Sequence, residues 1–263
     1  MKLLLLVGLT RRTGTNLLRD LLSLHPEITV ARDVSEDCLL APSEHLRHYE
    51  EWVTGVWANW TPDERLRHYR AQLYEGFGEA VERVLLSQPT EDGAAYLATK
   101  SPAAKNLRLL PKLLPGRPLV VVTRDGRSTV ESMVRSFQTP FKEAVEFWRN
   151  GAAELIQLRE EYEEGKDFLV VRFEDLQNRR EQTLDEVLGL IGRSVDRIAE
   201  EAANLPVRGS CEEVESGGKV EWKTVVKDAS FNPVERHAGW TRRQHKQFAK
   251  LAGREQGALG YDL

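Results

Sequence analysis

Short, continuously apolar segments separated by longer amphipathic stretches dominate the hydrophobic pattern of the chain. Four of these segments are predicted to be β-strands: residues 3–7, 95–99, 118–123 and 168–172. Their apolar residues follow one another instead of alternating with polar ones, which is typical of strands buried on both faces of a sheet. The pattern therefore predicts a mostly parallel sheet with a layer of helices on each side.

Apolar residues at helical spacing fill much of the chain between these strands. The first predicted helix covers residues 15–24, and Thr61-Pro62-Asp63-Glu64 supplies an N-cap, a first-turn proline and an acidic residue for a helix that extends to Leu86. Further helices are predicted over residues 107–114, 125–136, 141–164, 184–191, 195–203 and 241–256. Residues 29–60 and 207–233 show no assignable pattern. The alternation predicts an α/β fold, a three-layer αβα arrangement in a single domain of residues 1–263.

Composition and charge narrow the class of protein. Hydrophobic residues make up 41% and charged residues 30%, as in soluble globular proteins, and no apolar stretch approaches the roughly 20 residues that span a bilayer. A net charge of −4 and an isoelectric point near 6.0 give no reason to expect nucleic-acid binding. Cys38 and Cys211 form neither a disulfide framework nor a spaced metal site, so we expect a cytoplasmic protein.

The loop after the first strand, Gly8-Leu9-Thr10-Arg11-Arg12-Thr13-Gly14, leads directly into the first helix. This placement turns backbone N–H groups and the positive end of a helix dipole towards one point, and the two arginines add full charges. The loop is therefore a candidate phosphate-binding site, with a tight strand-to-helix turn as the alternative. It is not a Walker A loop, because Thr15-Asn16 follows Gly14 where that motif has a lysine.

Basic residues also stand at the ends of two later strands. Lys100 and Arg124 occupy positions where a nucleotide kinase needs carboxylates for Mg²⁺, so the sequence predicts a site without a metal. Arg124 and Ser132, about two helical turns further on, are placed to hold one phosphate together by charge and hydroxyl. The alternatives are an ion pair between Arg124 and Asp125, and close helix packing at Ser132.

Four segments, in this order, resemble motifs of one enzyme family. Residues 10–16 resemble the 5′-phosphosulfate loop, and residues 124–133 the 3′-phosphate motif, of sulfotransferases that use 3′-phosphoadenosine 5′-phosphosulfate (PAPS). Val171-Arg172-Phe173-Glu174-Asp175-Leu176 and Leu259-Gly260-Tyr261 resemble two further family segments, and the matches span nearly the whole chain. The resemblance is nearest to carbohydrate-type and tyrosylprotein-type members. It implies a P-loop-like sulfotransferase fold and transfer of a sulfuryl group from PAPS to an acceptor hydroxyl.

The resemblance also implies roles for single residues. The 3′-phosphate is assigned to Arg124 and Ser132, and the 5′-phosphosulfate to the loop. The loop residues concerned are Arg11, Arg12, Thr13, Gly14, Thr15 and Asn16. Arg12 and Lys100 are implied to act at the sulfuryl group, where Arg12 neutralises charge that develops on the bridging oxygen.

An in-line transfer also needs a base within reach of the acceptor hydroxyl. The resemblance to tyrosylprotein-type members places Asp33 in that role, and Glu36 is its rival because a slip of one turn exchanges the two. The chain departs from the family at Phe173, where a tyrosine is usual. The late basic-glycine segment that closes over the nucleotide is also undefined, with Gly217-Gly218-Lys219 or Arg236 as candidates.

The acceptor is expected to meet a variable helical region of about residues 34–90. Five aromatic residues cluster there: Tyr49, Trp52, Trp57, Trp60 and Tyr69. They fit either a stacking surface for a sugar or aromatic acceptor, or the tryptophan core of a helical subdomain. We expect a small molecule or glycoconjugate as the acceptor, while oligomeric state is undetermined. The competing interpretations are a P-loop kinase or related phosphotransferase, and a non-catalytic nucleotide-binding scaffold.

Overall fold

A five-stranded parallel sheet forms the centre of the protein. The computed structural model describes residues 1–31, 34, 36–37, 39–90, 93–205, 208–216, 219–226 and 232–263. The strands are β1 (Lys2–Gly8), β2 (Ile28–Val30), β3 (Tyr96–Ser101), β4 (Leu119–Thr123) and β5 (Leu169–Arg172). Their order is β2-β3-β1-β4-β5, and every neighbouring pair is parallel. The predicted parallel α/β sheet is therefore confirmed.

The middle strand, β1, contributes side chains to both hydrophobic cores. Leu5 is aligned with Thr99 of β3 and with Leu119 of β4. Leu5 belongs to the core on one face and Leu4 to the core on the other, because successive side chains of a strand point to opposite faces. Residues 3–7 are at most 2% exposed, which explains the uninterrupted apolar pattern of this segment.

Helices cover both faces of the sheet. They are α1 (Thr15–Leu22), α2 (Ser43–Trp57), α3 (Asp63–Leu86), α4 (Leu110–Leu113), α5 (Gly126–Phe137), α6 (Phe141–Glu161), α7 (Phe173–Asn178), α8 (Arg180–Gly189), α9 (Ala199–Asn204) and α10 (Arg242–Ala258). The core on one face includes buried residues of α3, α4, α5, α6 and α10, and the other core includes those of α1, α8 and α9. In the described part of the chain, no helix combines the length and apolar character needed to cross a membrane.

Several elements differ from the sequence-based expectation. The helix predicted over residues 107–114 is a 3-10 turn, Leu107–Leu109, followed by α4, because Pro111 fits only in the first turn of a helix. The unassigned stretches contain β2, α2 and an antiparallel hairpin of β6 (Arg208–Ser216) and β7 (Lys219–Val226). These elements were missed because three residues are too few for a pattern and because the two longer stretches are rich in polar residues.

Candidate active site

The loop between β1 and α1 is closed by contacts that require glycine at both ends. A Cβ at Gly8 would lie 2.4 Å from Oγ1 of Thr13, and that hydroxyl donates a hydrogen bond to the carbonyl of Thr10 at 2.9 Å. Gly14 has φ of +111°, and a Cβ there would lie 2.4 Å from the ring of Phe173. A side chain at either position would therefore displace the loop from the N-terminal end of α1.

The arginines of this loop reach across to α5. Nε of Arg12 donates a hydrogen bond to Oγ of Ser132 at 3.2 Å. The guanidinium groups of Arg11 and Arg12 lie 5.8 Å and 5.7 Å from the ring centre of Phe137, which is within cation–π range. The structure thus brings Arg12 and Ser132 into contact, although the family resemblance assigns Arg12 to the 5′-phosphosulfate and Ser132 to the 3′-phosphate.

Arg124, at the end of β4, is the most deeply buried cation of this corner, with 5% of its surface exposed. Nη1 donates to the carbonyl of Arg12 at 2.8 Å and Nη2 to the carbonyl of Pro233, while the guanidinium lies 4.3 Å from the ring centre of Phe173. Among the described residues, the buried Nε has no hydrogen-bond partner. Burial, together with the nearby charges of Arg12 and Arg236, lowers the pKa of Arg124 to about 10.

The alternative of an Arg124–Asp125 ion pair is not what the structure contains. The carboxylate of Asp125 pairs with Nη2 of Arg127 at 2.7 Å and accepts the N–H groups of Arg127 and Ser128, which caps α5. Burial by itself raises the pKa of Asp125, but the hydrogen bond and charge of Arg127 outweigh it and the pKa is lowered. Asp125 therefore leaves Nε of Arg124 without a hydrogen bond among the described residues.

A late segment of the chain completes this corner of the site. Oγ of Ser128 donates to the carbonyl of Val234, and the N–H of Arg236 donates to the same oxygen at 3.2 Å. Nε1 of Trp240 donates to Glu131 at 2.8 Å and fixes the segment on α5. Of the two candidates for the late basic segment, the structure places Arg236 here, whereas Gly217 and Gly218 lie outside the described residues and Lys219 begins β7.

The charge of Arg236 contributes to this cluster of cations. Burial, and then the charge of Arg135, lowers the pKa of Arg236. Sequence reasoning could not rank Arg236 above other surface arginines, since its only local signal is the Gly239-Trp240 pair that ends the segment before α10. Its position at the site depends on contacts with α5 that are more than 100 residues away in sequence.

Lys100, at the end of β3, lies beside the loop and beside the predicted base region. Its Nζ donates to Oδ1 of Asn16 at 2.7 Å and lies 3.3 Å from Oε1 of Glu36. With 7% of its surface exposed, Lys100 has little freedom to point elsewhere. The structure therefore joins Lys100, Asn16 and Glu36, while Asp33 lies outside the described residues.

Asp37 is a functional-site carboxylate that sequence reasoning missed. Its N–H donates to the carbonyl of Lys100 at 3.0 Å, and its Oδ1 accepts from Oγ of Ser101 and from the N–H of Leu39. Burial raises the pKa of Asp37. These contacts hold the loop of Glu36 against the end of β3. In the sequence, Asp37 stands in an ordinary polar stretch and carries no signal that separates it from its neighbours.

The aromatic cluster of the α2–α3 region is largely on the surface. The rings of Trp57 and Tyr69 meet edge-on with their centres 5.9 Å apart, and they line a cavity of about 480 Å³ together with Thr61, Gln72 and Leu73. Trp52 is 71% exposed and Trp60 76% exposed. Trp52 and Trp60 are therefore not core residues, whereas Trp57 is half-buried. Trp57 and Tyr69 instead form an edge-on pair at a surface cavity between α2 and α3.

The fold and the site together define a class of protein: a parallel α/β sheet with a glycine loop before α1 and basic side chains at its carboxyl edge, which is a phosphate-binding arrangement. The sequence model of the Sulfotransferase family matches residues 4–197, and the chain belongs to that family. Within the described residues, no group of His, Cys, Asp and Glu is arranged to hold a metal ion.

Individual relatives agree with this assignment. Protein-tyrosine sulfotransferase 1 of Mus musculus is 30% identical over 135 residues, which cover 50% of this chain and 34% of the relative. The chain thus matches about a third of the length of that curated relative. The sulfotransferase domain of the Synechococcus PCC 7002 olefin synthase has a TM-score of 0.58 at 15% identity, with 100% of this chain and 96% of that chain covered.

A second solved structure shares the fold. A mouse sulfotransferase solved in complex with PAP has a TM-score of 0.56 at 13% identity, with 97% of this chain and 85% of that chain covered. At these identities the two structural comparisons concern the fold alone, and both agree with the parallel sheet and its flanking helices.

Proposed function

We propose that this protein transfers a sulfuryl group from PAPS to the hydroxyl of an acceptor molecule. The observation that carries the proposal is the buried corner between β1, β4 and α5. There Arg124 holds an unpartnered Nε within a group of three cations that includes Arg12 and Arg236. A buried polar atom without a partner has a free-energy cost, and an anionic ligand at this corner would remove it.

The residues present fit the two anionic groups of the donor. In the proposal, Arg124, Ser132 and Arg236 hold the 3′-phosphate, because Ser132 already accepts from Arg12 beside Arg124 and Arg236 contributes its charge to the same corner. The loop of residues 11–16 holds the 5′-phosphosulfate with backbone N–H groups at the N-terminal end of α1. The donor supplies the sulfuryl group and leaves as 3′-phosphoadenosine 5′-phosphate (PAP).

The transfer step needs charge neutralisation and a base. The acceptor oxygen forms a bond to sulfur while the bond from sulfur to the bridging phosphate oxygen breaks, and the hydroxyl proton passes to the base. Arg12 and Lys100 neutralise the negative charge that develops around the bridging oxygen. Asp33 is the proposed base by family resemblance. Glu36, at 3.3 Å from Nζ of Lys100, holds that ammonium group beside Asn16.

Exposed aromatic side chains on the α2–α3 side of the molecule are the candidates for contact with the acceptor. The exposed rings of Trp52 and Trp60, and the edge-on pair of Trp57 and Tyr69, suit an acceptor with sugar or aromatic rings, so we propose a small molecule or a glycoconjugate. The similarity to protein-tyrosine sulfotransferase 1 makes a tyrosine-containing peptide the second acceptor to test. A reducing cytoplasm stays the compartment predicted from composition.

The deciding experiment is calorimetric titration of the protein with PAP, AMP and ATP–Mg²⁺. We expect micromolar binding of PAP, with AMP at least tenfold weaker because it lacks the 3′-phosphate. Arg124→Ala should abolish PAP binding. Ser132→Ala, a smaller change that is less disruptive to folding, should weaken it by about tenfold, which is the loss of one hydrogen bond to a charged group.

Arg193→Ala provides the matched control for these variants. Arg193 pairs with Glu27 at 2.5 Å, away from the carboxyl edge of the sheet, so PAP affinity should not change. Equal binding of PAP and AMP, or a preference for ATP–Mg²⁺, would contradict the donor assignment and favour the phosphotransferase interpretation.

A further inference from the structure

Two consecutive residues at the start of α7, Phe173 and Glu174, contact Arg124 and the residue that follows it, respectively. The ring of Phe173 supports the guanidinium at 4.3 Å, as described above. Oε1 of Glu174 accepts a hydrogen bond from the N–H of Asp125 at 3.0 Å, so this carboxyl holds the backbone immediately after Arg124. Glu174 has no role in the proposed transfer step.

The charges of Arg124 and Asp125 act on Glu174 with opposite signs. Glu174 is the carboxylate that contributes most to stabilising the charge of Arg124, and Asp125 contributes less. Asp125 is already engaged by Arg127, at 2.7 Å, and lies 4.0 Å from Nδ1 of His237. The ionised form of Glu174 is favoured by the backbone N–H groups of Asp125 and Glu174 and then by the charge of Arg124, which together oppose the penalty of burial.

A chain of hydroxyl groups connects Glu174 to the sheet. The hydroxyl of Tyr261 donates to Oε2 of Glu174 at 3.2 Å and lies 2.9 Å from Oγ1 of Thr123, where either oxygen can donate. The guanidinium of Arg172 lies over the ring of Tyr261 at 4.6 Å. If Glu174 gains a proton, it can donate to Tyr261, and Tyr261 can then donate to Thr123. The hydrogen bonds therefore accommodate both protonation states of the carboxyl.

A 3′-phosphate bound at Arg124 would change this balance. It would bring up to two negative charges to the cation that now stabilises ionised Glu174, and like charges close together disfavour the ionised form. Burial already raises the pKa of Glu174, and the charge of Asp125 acts in the same direction, while the backbone N–H groups of Asp125 and Glu174 and the charge of Arg124 oppose them. A bound phosphate cancels the contribution of Arg124, so the pKa of Glu174 rises further in the complex.

We propose that Glu174 takes up a proton from solvent when the 3′-phosphate of the donor nucleotide binds at Arg124. This inference rests on the proposed function, because it requires that the corner around Arg124 is the 3′-phosphate site. As a consequence, the donor and PAP bind more tightly as the pH falls from the pKa of Glu174 in the complex to its lower pKa in the free protein.

The test is calorimetric titration of the full chain with PAP at several values between pH 5.5 and 7.5, each in two buffers that differ in ionisation enthalpy. The slope of the observed enthalpy against the buffer enthalpy gives the number of protons taken up. Wild-type protein should take up a larger fraction of a proton than Glu174→Gln. If the pKa of Glu174 is one unit higher in the complex than in the free protein, the PAP affinity of the wild-type protein should fall as the pH rises over this range. The fall should be up to about tenfold relative to the variant.

Glu174→Gln is suited to this comparison because its amide oxygen can still accept from the N–H of Asp125. Protons exchanged by the phosphate itself or by His237 occur in both proteins and cancel in the difference. Asp175→Asn is the matched control, because this neighbouring carboxylate on α7 pairs with Arg179 at 2.9 Å and should leave the proton count unchanged. AMP, which lacks the 3′-phosphate, should show no proton uptake that depends on Glu174.

Equal proton uptake by wild-type protein and Glu174→Gln, in a protein that binds PAP through its 3′-phosphate, would overturn this inference and leave the donor site standing. Absence of PAP binding by the wild-type protein would overturn both. Glu174-dependent uptake with AMP as well as PAP would contradict the link to the 3′-phosphate.

Discussion

The edge of the sheet that carries the proposed donor site and the α2–α3 pair on the proposed acceptor side are built in different ways. At the sheet edge, Lys100 and Arg124 are at most 7% exposed, and their nitrogens contact oxygens from other segments of the chain. On α2 and the turn that follows it, Trp52 and Trp60 are more than 70% exposed.

This difference follows from what each region is proposed to bind. A phosphate has a fixed shape and charge, and a corner of buried cations held by strand ends can match it in advance of binding. Aromatic rings on exposed helices can instead contact apolar or sugar surfaces of different shapes, but they orient a bound acceptor less precisely. Substitutions at the sheet edge should therefore change donor binding, whereas those on the acceptor side should change turnover or acceptor affinity.

The largest expected effect concerns the base beside the acceptor. Asp33→Asn should lower kcat at least about 100-fold, as expected for loss of a general base, with PAP affinity unchanged. Glu36→Gln should lower kcat by only about tenfold, because it loosens Lys100 without removing the base. Turnover is measured as PAP release from PAPS with an acceptor found by screening hydroxyl compounds.

Glu44→Gln serves as the control for these two variants. Glu44 pairs with Lys105 at 2.6 Å on the exposed start of α2, so turnover should stay near the wild-type value. If Glu36→Gln lost turnover while Asp33→Asn kept it, the base would be Glu36.

A glycine in each region gives an intermediate effect that tests the difference in construction. Gly14→Ala should destabilise the fold by about 2 kcal/mol, because Gly14 has φ of +111° and a Cβ would meet Phe173 at 2.4 Å. It should also weaken PAP binding by at least tenfold. Both effects are measured by denaturant unfolding and by calorimetry.

Gly55→Ala, in the middle of α2, should do the opposite. No atom lies within 4 Å of the added Cβ, and alanine is favoured over glycine in a helix by about 1 kcal/mol. A gain in stability from Gly55→Ala with unchanged PAP affinity would show that α2 and the donor site are independent. A loss of donor binding at Gly55 would show that the two regions are coupled.

The smallest expected effect comes from the exposed aromatic surface. Trp52→Ala should change the free energy of unfolding by less than about 0.5 kcal/mol, because the ring is 71% exposed. Trp148→Ala, at a fully buried tryptophan in the core, should cost about 3–5 kcal/mol and shows what a packed ring contributes. An increase in the acceptor KM of Trp52→Ala without loss of stability would place the acceptor on this surface. A loss of stability similar to that of Trp148→Ala would contradict the exposed placement.

The amino-acid sequence by itself determined the parallel sheet and the positions of its strong anion-binding candidates. Residues 3–7 are apolar without interruption, since a central parallel strand is buried on both faces, and this signal is local. The loop before α1, Lys100 and Arg124 could be placed at one edge because the carboxyl ends of parallel strands meet there. These features depend on short segments and on a general rule of topology.

The other residues that lie at this edge of the sheet are set by tertiary contacts and could not be identified from the sequence. Arg236, Asp37 and Glu174 come to the site through contacts with distant segments, such as the hydrogen bond from the N–H of Arg236 to Ser128. Whether Trp52 is a core residue or an exposed one was likewise undecided by its spacing on α2. The physical reason is that burial, charge compensation and hydrogen-bond partners depend on which remote surfaces meet, and no local pattern of apolar and polar residues specifies that.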